Sequence, residues 1–302
     1  MNTRPVRAVL LGNAAFSAPA GMIALAVPRE LGELLGVDST LTLQLTGAGL
    51  LAFGLALVQH ALWDADNGPR TLTVILLDGL WVILSAFVVV IFPDVFSLAG
   101  RWLVIGVAAM VAAVAVAQLL ALRELYRIPG RVNEYRLCIS IATPASADAM
   151  WNVASALGEI SRFAPGLRSS SLAGRETAGV GAERVCEDVS GARWSELCTR
   201  WEEGRSFDLE FDAGARDFPF PFARMRAGWV IDPGPHFGCT VRVWWEATPK
   251  RAWSAPLILA VVDLGVRRSF PELIQRMAAS TGEQVGADVQ RLGKVKTRAA
   301  IC

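Results

Sequence analysis

The sequence predicts a membrane α-helical bundle of four transmembrane helices followed by an α+β domain with an antiparallel sheet and a long C-terminal helix. Three observations carry this. Of the 302 residues 53% are hydrophobic, and the excess lies before Arg123 in four runs: Ala8 to Val27, Leu41 to Trp63, Leu72 to Phe92 and Trp102 to Leu122. Each run holds about 20 residues, enough for a helix to cross a hydrocarbon core roughly 30 Å thick. After Arg123 the apolar residues become short and alternating, the mark of strands, and from Trp253 to Ala279 they return to a helical pattern.

The first run begins with basic residues and contains Ala18-x-Ala20, as a cleaved signal peptide does. Apolar residues continue through "GMIALAV", and Gly12 and Asn13 interrupt the presumed signal core, so a retained helix is expected. Orientation follows from the excess of arginine on cytoplasmic loops. Arg4, Arg7, Arg70, Arg123, Arg127 and Arg131 fall on one side, Arg29 and Arg101 on the other. The expected placement is therefore the inner (plasma) membrane, multi-pass, with N- and C-termini cytoplasmic.

The expected division is a transmembrane domain over 1–123, a linker over 124–134, a soluble domain over 135–280 and a basic, disordered tail over 281–302. In the soluble part "YRLCISIA" alternates as a strand, and "ASADAMWNVASALGEISRFAPGL" reads as one helix and a shorter second one, opened by Ser146 and Asp148 and broken at Pro165-Gly166. Strands follow in "RSSSLAG", "AERVCED", "RWSELCTRWEE", "RSFDLEFDA", "ARMRAGWVID" and "FGCTVRVWWEAT". Their period of two marks a sheet with one wet and one covered face. The covered face is expected to carry Ile139, Ile141, Phe207, Leu209, Phe211, Met225, Trp229, Ile231, Val241, Val243 and Trp245, with Leu257, Val261 and Leu264 facing it from the last helix. Glu196 falls on the wet face by the same counting, and Asp263 is expected to form a surface pair with Arg267.

The order of elements, together with "ASADAMWNVASALGEISRFAPGL", "GARWSELCTRWEEGRSFDLEF" and "FPFPFARMRAGWVIDP", resembles the START-like polyketide cyclase/dehydrase and lipid-transport superfamily (SRPBCC) over about Tyr135 to Ala279. The resemblance implies a helix-grip fold: a curved antiparallel sheet around a long C-terminal helix, enclosing a cavity for an apolar small molecule. The membrane part, through "GNAAFSAPAG" and "LLDGLWV", is similar to uncharacterised bacterial four-helix membrane proteins, a likeness that implies no activity.

Net charge is +1, and no basic stripe with interleaved aromatics suggests nucleic acid. The sequence holds no Ser/His/Asp set and no Gly-rich phosphate loop. His236 in "DPGPHFG" is the lone histidine of the soluble part, and no metal or cofactor is implied. Five cysteines without a CxxC pair, in a cytoplasmic domain, read as free thiols. In the membrane part Asp78 lies about six residues, or roughly 9 Å, into its helix. Asn13, Gln59, His60 and Gln118 lie at similar depth, so each helix places a polar group in one layer. Such groups join helices by hydrogen bonds, with Gly47, Gly49 and Gly54 permitting close approach; a head-group vestibule is the alternative. The expected function is membrane-tethered binding, transfer or sensing of a lipid, isoprenoid or polyketide-like molecule, with the lipid bilayer and that ligand as partners. The alternative is a cyclase/dehydrase-like enzyme acting on a membrane-soluble polyketide or lipid. Oligomeric state is not legible.

Overall fold

The computed structural model describes residues 2–174, 177–234 and 238–282. The expected tail from residue 283, His236 and Cys302 lie outside the described residues. The chain divides into two compact units, Met1–Leu125 and Tyr126–Cys302.

The first unit contains α1 (Arg4–Ala26), α2 (Pro28–Leu35), α3 (Thr40–Trp63), α4 (Gly68–Ile91) and most of α5 (Leu98–Tyr126). Four of these, α1, α3, α4 and α5, are long and apolar enough to cross a membrane. The starts obey ordinary capping chemistry: Ser39 accepts from Thr42 N ahead of α3, and Asn67 accepts from Arg70 N ahead of α4. The short helix α2 was not expected. Pro28 opens it and Gly36, at φ 81°, ends it. Glycine also decides how α1 meets α3. A Cβ on Gly21 would lie 2.6 Å from Gly47 O, and one on Gly54 would lie 2.8 Å from the Ala18 Cβ. Gly49 faces open space, so the close approach rests on Gly21, Gly47 and Gly54.

The second unit contains β1 (Tyr135–Thr143), α6 (Ala147–Ala154), β2 (Leu167–Ala173), β3 (Glu183–Asp188), β4 (Arg193–Glu202), β5 (Ser206–Phe211), β6 (Phe222–Pro233), β7 (Cys239–Pro249) and α7 (Ala255–Ser280). The strands form one antiparallel sheet in the order β1-β7-β6-β5-β4-β3-β2. A sheet of this order followed by a long terminal helix is a helix-grip arrangement. Ile139, Ile141, Phe207, Leu209, Ile231, Val241 and Val243 are buried in one core with Met150, Trp151, Ile274 and Met277.

Two departures from simple alternation matter. The β4–β5 register shifts between Cys198 and Arg200. Glu196 and Cys198 are buried and Leu197 is 46% exposed, yet beyond the shift Trp201 packs on the core. An extra residue in a ladder reverses which face the following side chains take. Glu196 is therefore inside, contrary to expectation. On α7, Val261 is 60% exposed and Leu257 and Leu264 are half-buried, while Leu259, Leu273, Ile274 and Met277 are buried. The inward stripe is displaced because α7 is apolar around much of its first half, so spacing alone does not choose a face. Asp263 does pair with Arg267, at 2.7 Å, but the pair is not a surface one: Asp263 is buried and also accepts from Tyr126 Oη at 2.9 Å. Cys186 and Cys198 carry free thiols and are buried, and Cys239 is buried at the start of β7. Cys138, on the outward face of β1, is disulfide-bonded, against the reading of free thiols.

Candidate functional site

A cavity of about 430 Å³ is bounded by α7, the inner face of the sheet and the Ala164–Leu167 loop. Small-molecule sites commonly occupy about 300–1,000 Å³ and are mainly apolar with a few placed polar groups. The aromatic wall is built by cross-strand pairing. Register places Phe207 opposite Trp229, and their rings stack with centroids 5.9 Å apart. Phe270 of α7 packs edge-on to Trp245 at 4.7 Å and lies 6.2 Å from Trp229, so α7 meets the sheet through aromatic rings.

Of the residues expected at the ligand, Leu209, Phe211, Met225, Trp229 and Trp245 line the cavity. Phe207, Val241 and Val243 are buried in the core beside it and do not line it. Leu257 and Val261 are not on its wall; α7 contributes Leu259, Val262, Val266, Ser269, Phe270 and Leu273 instead.

Sequence reasoning missed the charged part of the wall, formed by Arg184, Asp188 and Glu196. Arg184 on β3 and Glu196 on β4 are register partners, with side chains only 8% and 4% exposed. Arg184 Nη2 donates to Glu196 Oε2, and Trp194 Nε1 donates to Glu196 Oε1 at 2.7 Å. The remaining Arg184 contact is long, 3.4 Å from Nη1 to the Leu157 carbonyl, and Nε has no partner. Burial works against the Arg184 charge, but Glu196 beside it more than compensates and holds the guanidinium above its ordinary pKa. Burial pushes the neighbouring Cys186 thiol up to about 12, so it is not a nucleophile at neutral pH. Asp188 is held below the usual carboxylate range by Ser190 and by backbone N–H groups of its turn. A signal for Arg184 did exist. Ala182, Arg184 and Cys186 share one face of "AERVCED", and two small apolar neighbours would have turned the arginine inward.

The polar layer of the first unit divides into separate contacts. Asn13 Nδ2 donates to Asp78 Oδ2 at 2.8 Å, and Ser17 Oγ donates to Asn13 Oδ1 at 3.0 Å. His60 Nε2 lies 2.9 Å from Thr71 Oγ1. Gln118 is fully buried, whereas Gln59 is exposed. Beside the Asn13–Asp78 contact is a cavity of about 390 Å³, with Ser17, Thr46 and Asp78 in an otherwise apolar wall. No group of His, Cys, Asp and Glu among the described residues could hold a metal.

Residues 137–281 match the family described as polyketide cyclase / dehydrase and lipid transport. The match lies within the second unit and covers just under half of the chain. Norcoclaurine synthase from Thalictrum flavum is similar in structure at 15% identity, covering 49% of this chain and 94% of that one with a TM-score of 0.40. A truncated form of the same enzyme gives 15% identity, 51% and 98% coverage and a TM-score of 0.41. Ara h 8.0201 gives 12% identity, 49% and 97% coverage and a TM-score of 0.40. No curated protein matches the chain. The family's description spans both cyclase or dehydrase chemistry and lipid transport, and so frames the site as one for hydrophobic molecules or cyclase-like reactions.

Proposed function

We propose that the chain is a membrane-tethered protein that binds, transfers or senses an apolar small molecule, lipid, isoprenoid or polyketide-like, in the cavity beneath α7. The observation that carries this reading is the cavity itself, walled by Leu209, Met225, Trp229, Trp245 and Phe270 beside the buried core. The four apolar helices support tethering in the inner membrane. A ligand that partitions into the bilayer then reaches the domain at high local concentration, without new contacts on the protein. Native mass spectrometry of the full chain, extracted in mild detergent and then stripped of detergent in the instrument, tests the proposal. The expected result is one retained apolar molecule per chain, lost on Trp229→Ala or Trp245→Ala. An empty cavity that also rejects a panel of lipids and quinones would overturn it.

A second reading, a cyclase- or dehydrase-like enzyme, is favoured by the charged pair Arg184–Glu196 in the cavity wall. Buried charged groups in a cleft are where acid–base chemistry is commonly built. It predicts conversion of a bound polyketide, abolished by Glu196→Gln while binding persists.

A further inference from the structure

Asp78 sits in α4, one of the four helices apolar enough to cross a membrane, and is buried. Its contact with Asn13 joins α4 to α1, but an amide at position 78 would make a bond of the same kind, since uncharged side chains suffice to hold such helices together. The carboxyl adds a negative charge, which is costly inside a bilayer unless something answers it. Among the described residues no cationic side chain acts on Asp78, whose polar neighbours are the amides of Asn13 on α1 and Gln118 on α5. Asn13 occupies Oδ2. Gln118 closes no hydrogen bond, as both polar atoms of its side chain are unpartnered, and Oδ1 accepts none from a described residue. Oδ1 is not among the unpartnered polar atoms sealed from the surface, so it opens on the cavity of about 390 Å³ that Asp78 lines.

The rest of the wall bears on what answers that charge. All four apolar helices contribute to it, with the aromatic rings of Phe16, Phe53 and Trp81 and the hydroxyls of Ser17 and Thr46, and Ser17 is already committed to Asn13. A carboxylate draws a cation, and aromatic faces attract one as well. An anion would meet the carboxylate, and a metal ion would find too few oxygen ligands. We propose that this cavity is a second ligand site, for a lipophilic monocation: an amine or quaternary onium group on an apolar body, its charge against Asp78 and its body among the rings. The site lies wholly within the first unit and is independent of the cavity beneath α7.

The test uses the full chain in maltoside micelles and three probes of one shape, methyltriphenylphosphonium, triphenylmethanol and triphenylacetate, which present a cation, a hydroxyl and an anion on the same three rings. Binding is read by equilibrium dialysis, with uptake by protein-free micelles subtracted. The phosphonium is expected to bind saturably, one per chain, and at least about tenfold more tightly than the alcohol, the advantage of an opposite charge at a buried carboxylate; the acetate should not bind. Asp78→Asn keeps a hydrogen-bonding group for Asn13 and removes the charge, and should bring the phosphonium down to the level of the alcohol. Trp81→Leu keeps apolar volume and removes a ring, and should weaken the phosphonium about threefold or more while affecting the alcohol less. An SDS titration shows that each variant keeps its helix packing, and the two variants give separate readouts. A phosphonium preference unchanged in either packed variant, tighter binding of the alcohol or the acetate, or no saturable uptake of the phosphonium would overturn the proposal and leave the reading of the α7 cavity standing.

Discussion

Glu203 accepts from two indoles at once, Trp201 Nε1 at 2.7 Å and Trp151 Nε1 at 3.1 Å, and so ties α6 to the β4–β5 turn. These bonds favour the ionised form and hold its pKa below the ordinary 4.5. A carboxylate depressed in the folded state contributes stability above its unfolded pKa, and that contribution is lost as pH falls through the folded value. Glu203→Gln should therefore melt at a lower temperature than the parent chain at pH 7, with the gap narrowing as acid takes the pH below the ordinary glutamate range. A gap that is constant with pH would show that the charge on Glu203 is irrelevant. Gly228 offers a second residue-scale test, on the outer face. A Cβ there would sit 2.3 Å from the Trp244 ring, which is also flanked by Arg136 at 5.6 Å and Arg226 at 6.0 Å. Gly228→Ala should cost about 1–3 kcal/mol through overpacking, read by chemical denaturation with tryptophan fluorescence. Wild-type stability would mean that the indole swings away freely.

At the scale of elements, what was legible was whatever a period of two or a run of about 20 apolar residues can encode. Phe207 and Leu209 on β5 and Val241 and Val243 on β7 are buried as alternation requires, and the four long helices stand within a few residues of their apolar runs. What escaped has a physical cause in each case. The bulge at Cys198/Arg200 carries no local sequence mark and reversed the face assigned to Glu196. The first half of α7 is apolar on two sides, so Val261 stood in for Val262 and Val266. The charged end of the cavity depends on which β3 residues face those of β4, and such pairing joins segments whose sequences do not announce it. In the first unit Gly21 was overlooked for Gly49, because an open glycine and a crowded one look identical in sequence. Gly21→Val should push α1 off α3, since its first added carbon already meets backbone at 2.6 and 2.7 Å, with no flexible end to give way. The expected outcome is earlier unfolding of the detergent-solubilised chain in an SDS titration, whereas Gly49→Val should unfold with the parent. Equal behaviour of the two variants would remove the close packing argued for this helix pair.

At the scale of the whole molecule the proposed membrane tether predicts which side of a bilayer carries the second unit. Arginine asymmetry predicts that the α3–α4 loop with Arg70, and the segment carrying Arg123, Arg127 and Arg131, are cytoplasmic, with Arg29 and Arg101 opposite. The disulfide at Cys138 pulls the other way, because disulfides persist mainly in oxidising compartments. The charge argument is the stronger, since it sums several residues that act during insertion, whereas one half-buried thiol can oxidise after synthesis. A C-terminal fusion to a fluorescent protein that matures only in the cytoplasm should therefore glow, and a fusion to a phosphatase active only after export should be silent. Arg70→Gln should leave both results unchanged, because Arg123, Arg127 and Arg131 still follow the last span. An active phosphatase would place the cavity on the oxidising side, explain the disulfide at once, and make the ligand one drawn from the outer leaflet.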